Sequence, residues 1–237
     1  MIAGLSKAVT LYLAPVLALT ALLLSLFAFL APTLLLQDQV ALLTVTPSTV
    51  LSQPGPSKDV DGPSVFLGVL GSCARKNNAA ALNCTLPTVS PQYDLSVLPG
   101  NTANLLLSAP TASAPAFIAV AISFSFLFFI SFTLISLRHK LGAKMGAILE
   151  KPLVQRLSAW VGFFSFLIGL TAFLIVRMWF GKAVQDFNSS LVVQAQQGPQ
   201  LVASLGNAFT MAYVAYAFLA VPVITSLAKL NVQATKQ

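Results

Sequence analysis

Charge is scarce in this chain. Asp, Glu, Lys and Arg together make up 8% of its 237 residues, whereas soluble globular domains carry roughly a quarter, and a water-soluble domain is thereby excluded. Histidine is scarcer still: His139 stands alone, too few for a His-based zinc set, and its place between Leu137-Arg138 and Lys140 fits a solvated juxtamembrane residue better than a base. Cysteine occurs only at Cys73 and Cys84, without the C-x-x-C spacing of a redox or zinc pair. No Gly-rich phosphate loop, serine-nucleophile elbow or His-Glu zinc helix occurs either. These absences point away from an enzyme: no catalytic residue, metal ligand, cofactor or small-molecule substrate is expected.

What the chain has instead is apolar sequence, 57% of its residues, gathered in blocks. Charge-free runs cover 8–36, 116–137, 157–176 and 205–227. Each reaches the roughly 20 residues that a helix needs to cross a bilayer core of about 30 Å. The reading is four transmembrane helices at 8–36, 116–137, 157–178 and 205–227. The first run could be a secretory signal, but such a signal has an apolar core of about 7–15 residues. This run is far longer and lacks a small-residue cleavage site, so it reads as an uncleaved anchor.

The net charge of +7 is distributed unevenly. Arg138, Lys140, Lys144, Lys151 and Arg156 crowd the link 138–156 against one acid, Glu150, and Lys7, Lys229 and Lys236 flank the termini. Lys and Arg collect on the cytoplasmic side of membrane proteins. The link and both termini, 1–7 and 228–237, are therefore expected in the cytosol, and the loops 37–115 and 179–204 outside. In those loops and at their border the signs balance: Lys58, Arg75, Lys76, Lys182 and the bordering Arg177 stand against Asp38, Asp59, Asp61, Asp94 and Asp186. The positive charge thus sets topology and does not mark a nucleic-acid binder. Contact with anionic inner-leaflet lipid would be a secondary use of the same residues. Two glycosylation sequons, Asn83-Cys84-Thr85 and Asn188-Ser189-Ser190, fall in the expected outer loops. Asn83 abuts a cysteine that a bridge would shield, which makes Asn188 the better candidate.

Within 37–115, two short apolar runs, 39–45 and 64–71, are bounded by turn formers and read as strands. The Pro-rich segment after Cys84 reads as extended chain packed over them, and Leu105, Leu106 and Leu107 as a short helix or a surface facing another protein. Asp59 and Asp61 fit turn formation better than a calcium site. In the third span Gly162, Ser165 and Gly169 recur at helical spacing, as do Ala208, Ala212 and Ala215 in the fourth, so neighbouring backbones can approach closely. Contact inside one bundle is the simpler expectation, ahead of oligomerisation. Ser123, Ser125, Ser131 and Thr133 suit hydrogen bonding between helices. None of the four charge-free runs holds the ionisable residues that ion pathways usually need, although a channel formed between copies would not require them.

Two cysteines in an oxidising compartment are expected to pair, against the alternatives of a metal site or a redox pair. Closing so short a loop contributes roughly 2–3 kcal/mol in the chain-entropy model. The residues before the first cysteine add specificity. Gly68-Val69-Leu70-Gly71-Ser72-Cys73, followed by Cys84, is similar to the claudin-superfamily signature of two glycines flanking two hydrophobics, then a cysteine pair. That resemblance implies an all-α transmembrane four-helix bundle topped by a small extracellular antiparallel β-sheet, with the disulfide joining two strands. The tryptophan that accompanies the motif in animal claudins is absent, since the region reads Val65-Phe66-Leu67, so the paracellular-seal function is not carried over.

The wider sequence, from "VTLYLAPVLALTALLL" through "FLGVLGSC" to "YDLSVLPGN", resembles the fungal PalI and Sur-type cortical-patch family. The resemblance implies a plasma-membrane protein with cytosolic termini, found in eisosome-type membrane domains or assisting ambient-pH sensing. The chain departs from the longer members by ending within about ten residues of its fourth span, which leaves a direct signalling role in doubt. The function expected is therefore a non-enzymatic organiser of the cell cortex, associating with membrane lipids and with copies of itself or other cortical membrane proteins. The alternatives are a regulator of calcium influx or membrane fusion during mating, and an accessory subunit of a larger membrane complex.

Overall fold

The four apolar runs become four helices. The computed structural model describes residues 9–48, 60–98, 113–194 and 200–234. A π-helical turn, Val9–Leu13, leads into α1, Ala14–Leu30, and α2 spans Ser113–Ser136. A single 3₁₀ turn, Arg138–Lys140, and the short α3, Ala143–Leu149, fill the basic link. Helix α4 runs Pro152–Gln194 and α5 Ala208–Ala234. Of these, α1 (with the turn before it), α2, α4 and α5 are long and apolar enough to cross a membrane. Lys7, Asp59, Lys236 and the leucines at 105–107 lie outside the described residues.

The third helix corrects the span boundaries. Hydropathy ends the span at 178 and opens a loop at 179–204, but α4 continues without a break to Gln194. The reason is that a helix need not stop where the apolar run stops. Val176, Phe180, Ala183 and Phe187 recur every three or four residues and are all buried, so this stretch keeps one apolar face after charged residues return. Pro15 comes just after the π-helical turn Val9–Leu13, and a widened turn of that kind is one of the recognised causes of a helix bend.

The chain divides into two compact units. One comprises Met1–Leu26, Phe117–Ala172 and Met211–Gln237, the other Phe27–Ala116 and Phe173–Thr210. In the first, small residues let helices touch as their spacing leads one to expect. The position a Cβ would occupy on Gly162 lies 2.6 Å from the Phe128 ring, and the same position on Gly169 meets the Tyr216 hydroxyl. Ser165 is hydrogen-bonded to Ser125 at 2.6 Å and donates to the Ala121 carbonyl, while Ser131 and Ser158 pair at 2.7 Å. Such bonds between membrane helices contribute about 0.6 kcal/mol each on average. Ser123 instead bonds back to Ala119 of its own helix. Ala14, Ala18 and Ala21 form a buried stripe along α1 in this unit, and Ala212 and Ala215 one along α5. Ala28 and Ala208, also buried, continue these stripes within the same helices but belong to the second unit.

The second unit contains a five-stranded antiparallel sheet: β1, Leu43–Ser48; β2, Ser64–Leu67; β3, Ser72–Arg75; β4, Asn83–Cys84; and β5, Gln200–Leu205. Their order is β4-β3-β2-β1-β5. The apolar runs at 39–45 and 64–71 do seed β1 and β2, though β1 begins later and reaches Ser48. It includes Pro47, which lies beyond the β2 pairing and stands opposite Leu201 of β5. All four residues of β2 are buried, so beyond Ser64 its sequence runs apolar without alternating.

Candidate functional site

The site singled out by sequence, the glycine–cysteine motif, spans the β2–β3 turn and the β4 edge of this sheet. Phe66 of β2 stands opposite Cys73 of β3, which stands opposite Cys84 of β4. Residues in register share a face of the sheet, so the two cysteines meet as directly opposed neighbours, and they are joined by a disulfide. Ala41, Phe66 and Cys73 pack together as a buried cluster with Leu82 and Cys84 against it. The Cys73 sulfur lies 3.5 Å from the Pro32 carbonyl; a bridged sulfur carries no proton, so this is packing and not a hydrogen bond.

Gly68 and Gly71 flank the two-residue turn between β2 and β3, closed by the Gly68 N–H donating to the Gly71 carbonyl at 2.8 Å. Hairpin turns usually carry Asn, Asp or Gly at their centre and face water. This one carries Val69 and Leu70, both buried, because other chain segments cover it. The chain leaving α1 passes one side: a Cβ on Gly68 would strike the Ala31 carbonyl and the Pro32 ring. The segment after Cys84 passes the other: a Cβ on Gly71 would strike the Thr85 hydroxyl and lie 3.0 Å from the Thr33 methyl. The two glycines are therefore required by what passes beside them.

The segment 85–98 is extended chain laid over that turn, as its composition leads one to expect. Thr88 donates its N–H to the Leu70 carbonyl, and the Tyr93 hydroxyl donates to the Gly68 carbonyl at 2.8 Å. Burial pushes the Tyr93 phenol well above its ordinary range, so it remains a donor at physiological pH. The Asp94 N–H donates to the buried Ser72 hydroxyl at 2.8 Å. The Asp94 carboxylate accepts from Ser96, whose side chain and N–H hold it below the usual carboxylate range. Asp61 accepts from the Asn78 N–H at 2.8 Å, a bond between residues 17 positions apart and not within a local turn. Among the described residues no three His, Cys, Asp or Glu side chains come together in a group that could hold a metal ion.

The two sequon asparagines are placed differently. Asn83 is exposed on the edge strand β4, beside the bridge. Asn188 is on α4 and half-buried. Its amide nitrogen donates to the Ala203 carbonyl and its oxygen accepts from the Ala203 N–H, both at 2.9 Å. A side-chain amide here satisfies both backbone groups of a β5 residue, as another strand would.

Sequence reasoning missed β5 and the residues that seat it. Asn207 donates to the Gln39 carbonyl at 2.7 Å and accepts from the Ala41 N–H, and Gly206 donates to the Leu42 carbonyl at 2.8 Å. One signal was present: buried Leu201 and Ala203 are separated by half-exposed Val202, the period of two of a strand. No protein-family model matches the chain, and no curated protein matches it.

Proposed function

We propose that the protein is a structural membrane protein of the fungal cell cortex, with its four apolar helices packed as a claudin-like bundle in the plasma membrane. On this reading the disulfide-clamped sheet faces outward toward the cell wall. The link 138–156 and both termini are cytosolic, and the bundle associates laterally with lipids, with copies of itself or with other cortical proteins. The observation that carries the reading is the covered Gly68–Gly71 turn leading into the Cys73–Cys84 bridge. It gives the glycine–cysteine signature a physical role as a covered turn and a clamp that holds the edge strand β4 to the sheet. The bridge also fits an oxidising compartment, which supports placing the sheet outside.

The test is live imaging of a C-terminally tagged copy in a fungal cell beside an eisosome marker. Static peripheral patches coinciding with that marker are expected. A uniform rim, or signal confined to mating projections, would overturn the scaffold reading in favour of a fusion or calcium-influx regulator.

A further inference from the structure

The link between α2 and α4 is not a plain charged loop. Helix α3 packs its Leu149 inward, while Met145 and Ile148, three residues apart and hence on one helical face, are 48% and 50% exposed. Leu141, at the entrance to this helix, is 38% exposed. Around these apolar side chains stand exposed Lys140, Lys144 and Lys151. Glu150, the only acid in the link sequence, lies 3.6 Å from the Arg138 guanidinium, so its charge is already offset by a neighbour. An apolar face of this size rimmed by cations suits neither bulk water nor the uncharged interior of a bilayer.

We infer that α3 is an interfacial helix: Leu141, Met145 and Ile148 enter the headgroup–acyl boundary of the leaflet that the link faces, and Lys140, Lys144 and Lys151 bind its anionic headgroups. Two observations select a lipid surface over a protein. The patch is continuous with two helices long and apolar enough to cross a membrane, since α2 ends at Ser136 and α4 begins at Pro152, which would hold α3 close to the membrane surface. The charge around it is complementary to an anionic leaflet, whose field attracts each nearby Lys or Arg. Apolar insertion and electrostatic attraction reinforce each other in such helices. The inference rests on the four membrane-crossing helices and not on the cortical role proposed above.

The test uses the full-length protein carrying Met145→Cys, which provides the one free thiol because Cys73 and Cys84 are bridged. That thiol carries an environment-sensitive fluorophore. The protein is placed at one copy per lipid nanodisc, either of phosphatidylcholine alone or with phosphatidylserine. The same label on Asn77→Cys, exposed in the long loop, gives the reference for water.

The label at position 145 is expected to emit at shorter wavelength in anionic discs and to be quenched by lipids bearing a nitroxide just below the headgroup. Both effects should weaken in neutral discs. Each of Lys140→Gln, Lys144→Gln and Lys151→Gln should lower the immersed-to-detached ratio about fivefold, and added salt should act in the same direction. A label that matches the Asn77 reference in anionic discs overturns the inference. Equal immersion in neutral discs and in the triple lysine variant overturns its anionic part. A wavelength shift seen only with two copies per disc assigns the face to a second chain and overturns it as well.

Discussion

At the scale of single residues, the informative positions are those where a side chain is missing. Gly68 was legible as part of a motif, but the motif did not reveal its cause, because Ala31 and Pro32 lie far back along the chain. The same distance hid Tyr93 and Asn207, whose bonds join residues 25 and 168 positions apart; no local pattern announces such pairs. The cause now separates two glycines that composition treats alike. A methyl group on Gly68 would be driven into backbone of the Ala31–Pro32 segment, whereas one on the helical Gly181 meets nothing within 4 Å. Gly68→Ala is therefore expected to destabilise the protein by roughly 1–3 kcal/mol, the usual cost of overpacking. Gly181→Ala should stabilise it by about 0.5–1 kcal/mol through helix propensity. Thermal unfolding of the two purified variants in detergent should move the midpoint in opposite directions. An unchanged midpoint for Gly68→Ala would mean that the turn does not lie against the chain leaving α1.

At the scale of elements, hydropathy and periodicity carried different parts of the fold. The four apolar runs were unmistakable because crossing a bilayer demands nearly uninterrupted apolar sequence. The far part of α4 was not, because Arg177, Lys182 and Asp186 end the apolar run while Phe180, Ala183 and Phe187 keep the helical face going. Strand β5 was hidden because its register is set by β1, about 155 residues earlier in sequence. These two missed elements meet at Asn188, which hydrogen-bonds both backbone groups of the buried residue Ala203. Asn188→Ala would leave a buried donor and a buried acceptor unpaired, at about 1–3 kcal/mol each, and would expose the edge of the sheet. Asn188→Asp keeps the acceptor and loses the donor, so the expected order of stability is Asn, then Asp, then Ala. Hydrogen exchange gives a sharper reading: protection of the Ala203 amide should survive in the Asp variant and fall in the Ala variant. Equal protection in all three would show that another group covers the edge of β5.

At the scale of the whole molecule, the sheet constrains how the chain threads the membrane. Strand β1 follows the first crossing helix and β5 follows the third, yet they pair over six residues, Leu43↔Leu205 through Ser48↔Gln200. The two loops that contain them must therefore lie on the same side of the bilayer, which requires an even number of crossings between them. Helices α2 and α4 are those two crossings. The pairing thus supports, without any appeal to charge, the threading that the lysine and arginine distribution implies. It fixes which loops share a side and leaves the choice of side to chemistry: on the proposed orientation the Cys73–Cys84 bridge faces an oxidising exterior and the five cations of the link face the cytosol. The two criteria agree, and thiol labelling of intact cells tests them together. Leu86, 84% exposed beside the bridge, becomes Leu86→Cys. Lys144, exposed on α3, becomes Lys144→Cys. A membrane-impermeant maleimide should modify the first on intact cells and the second only after permeabilisation. The reverse pattern would invert the orientation while leaving the pairing argument intact. Modification of both on intact cells would show that α2 does not cross the bilayer, because the loop and the link would then share a side with only that helix between them.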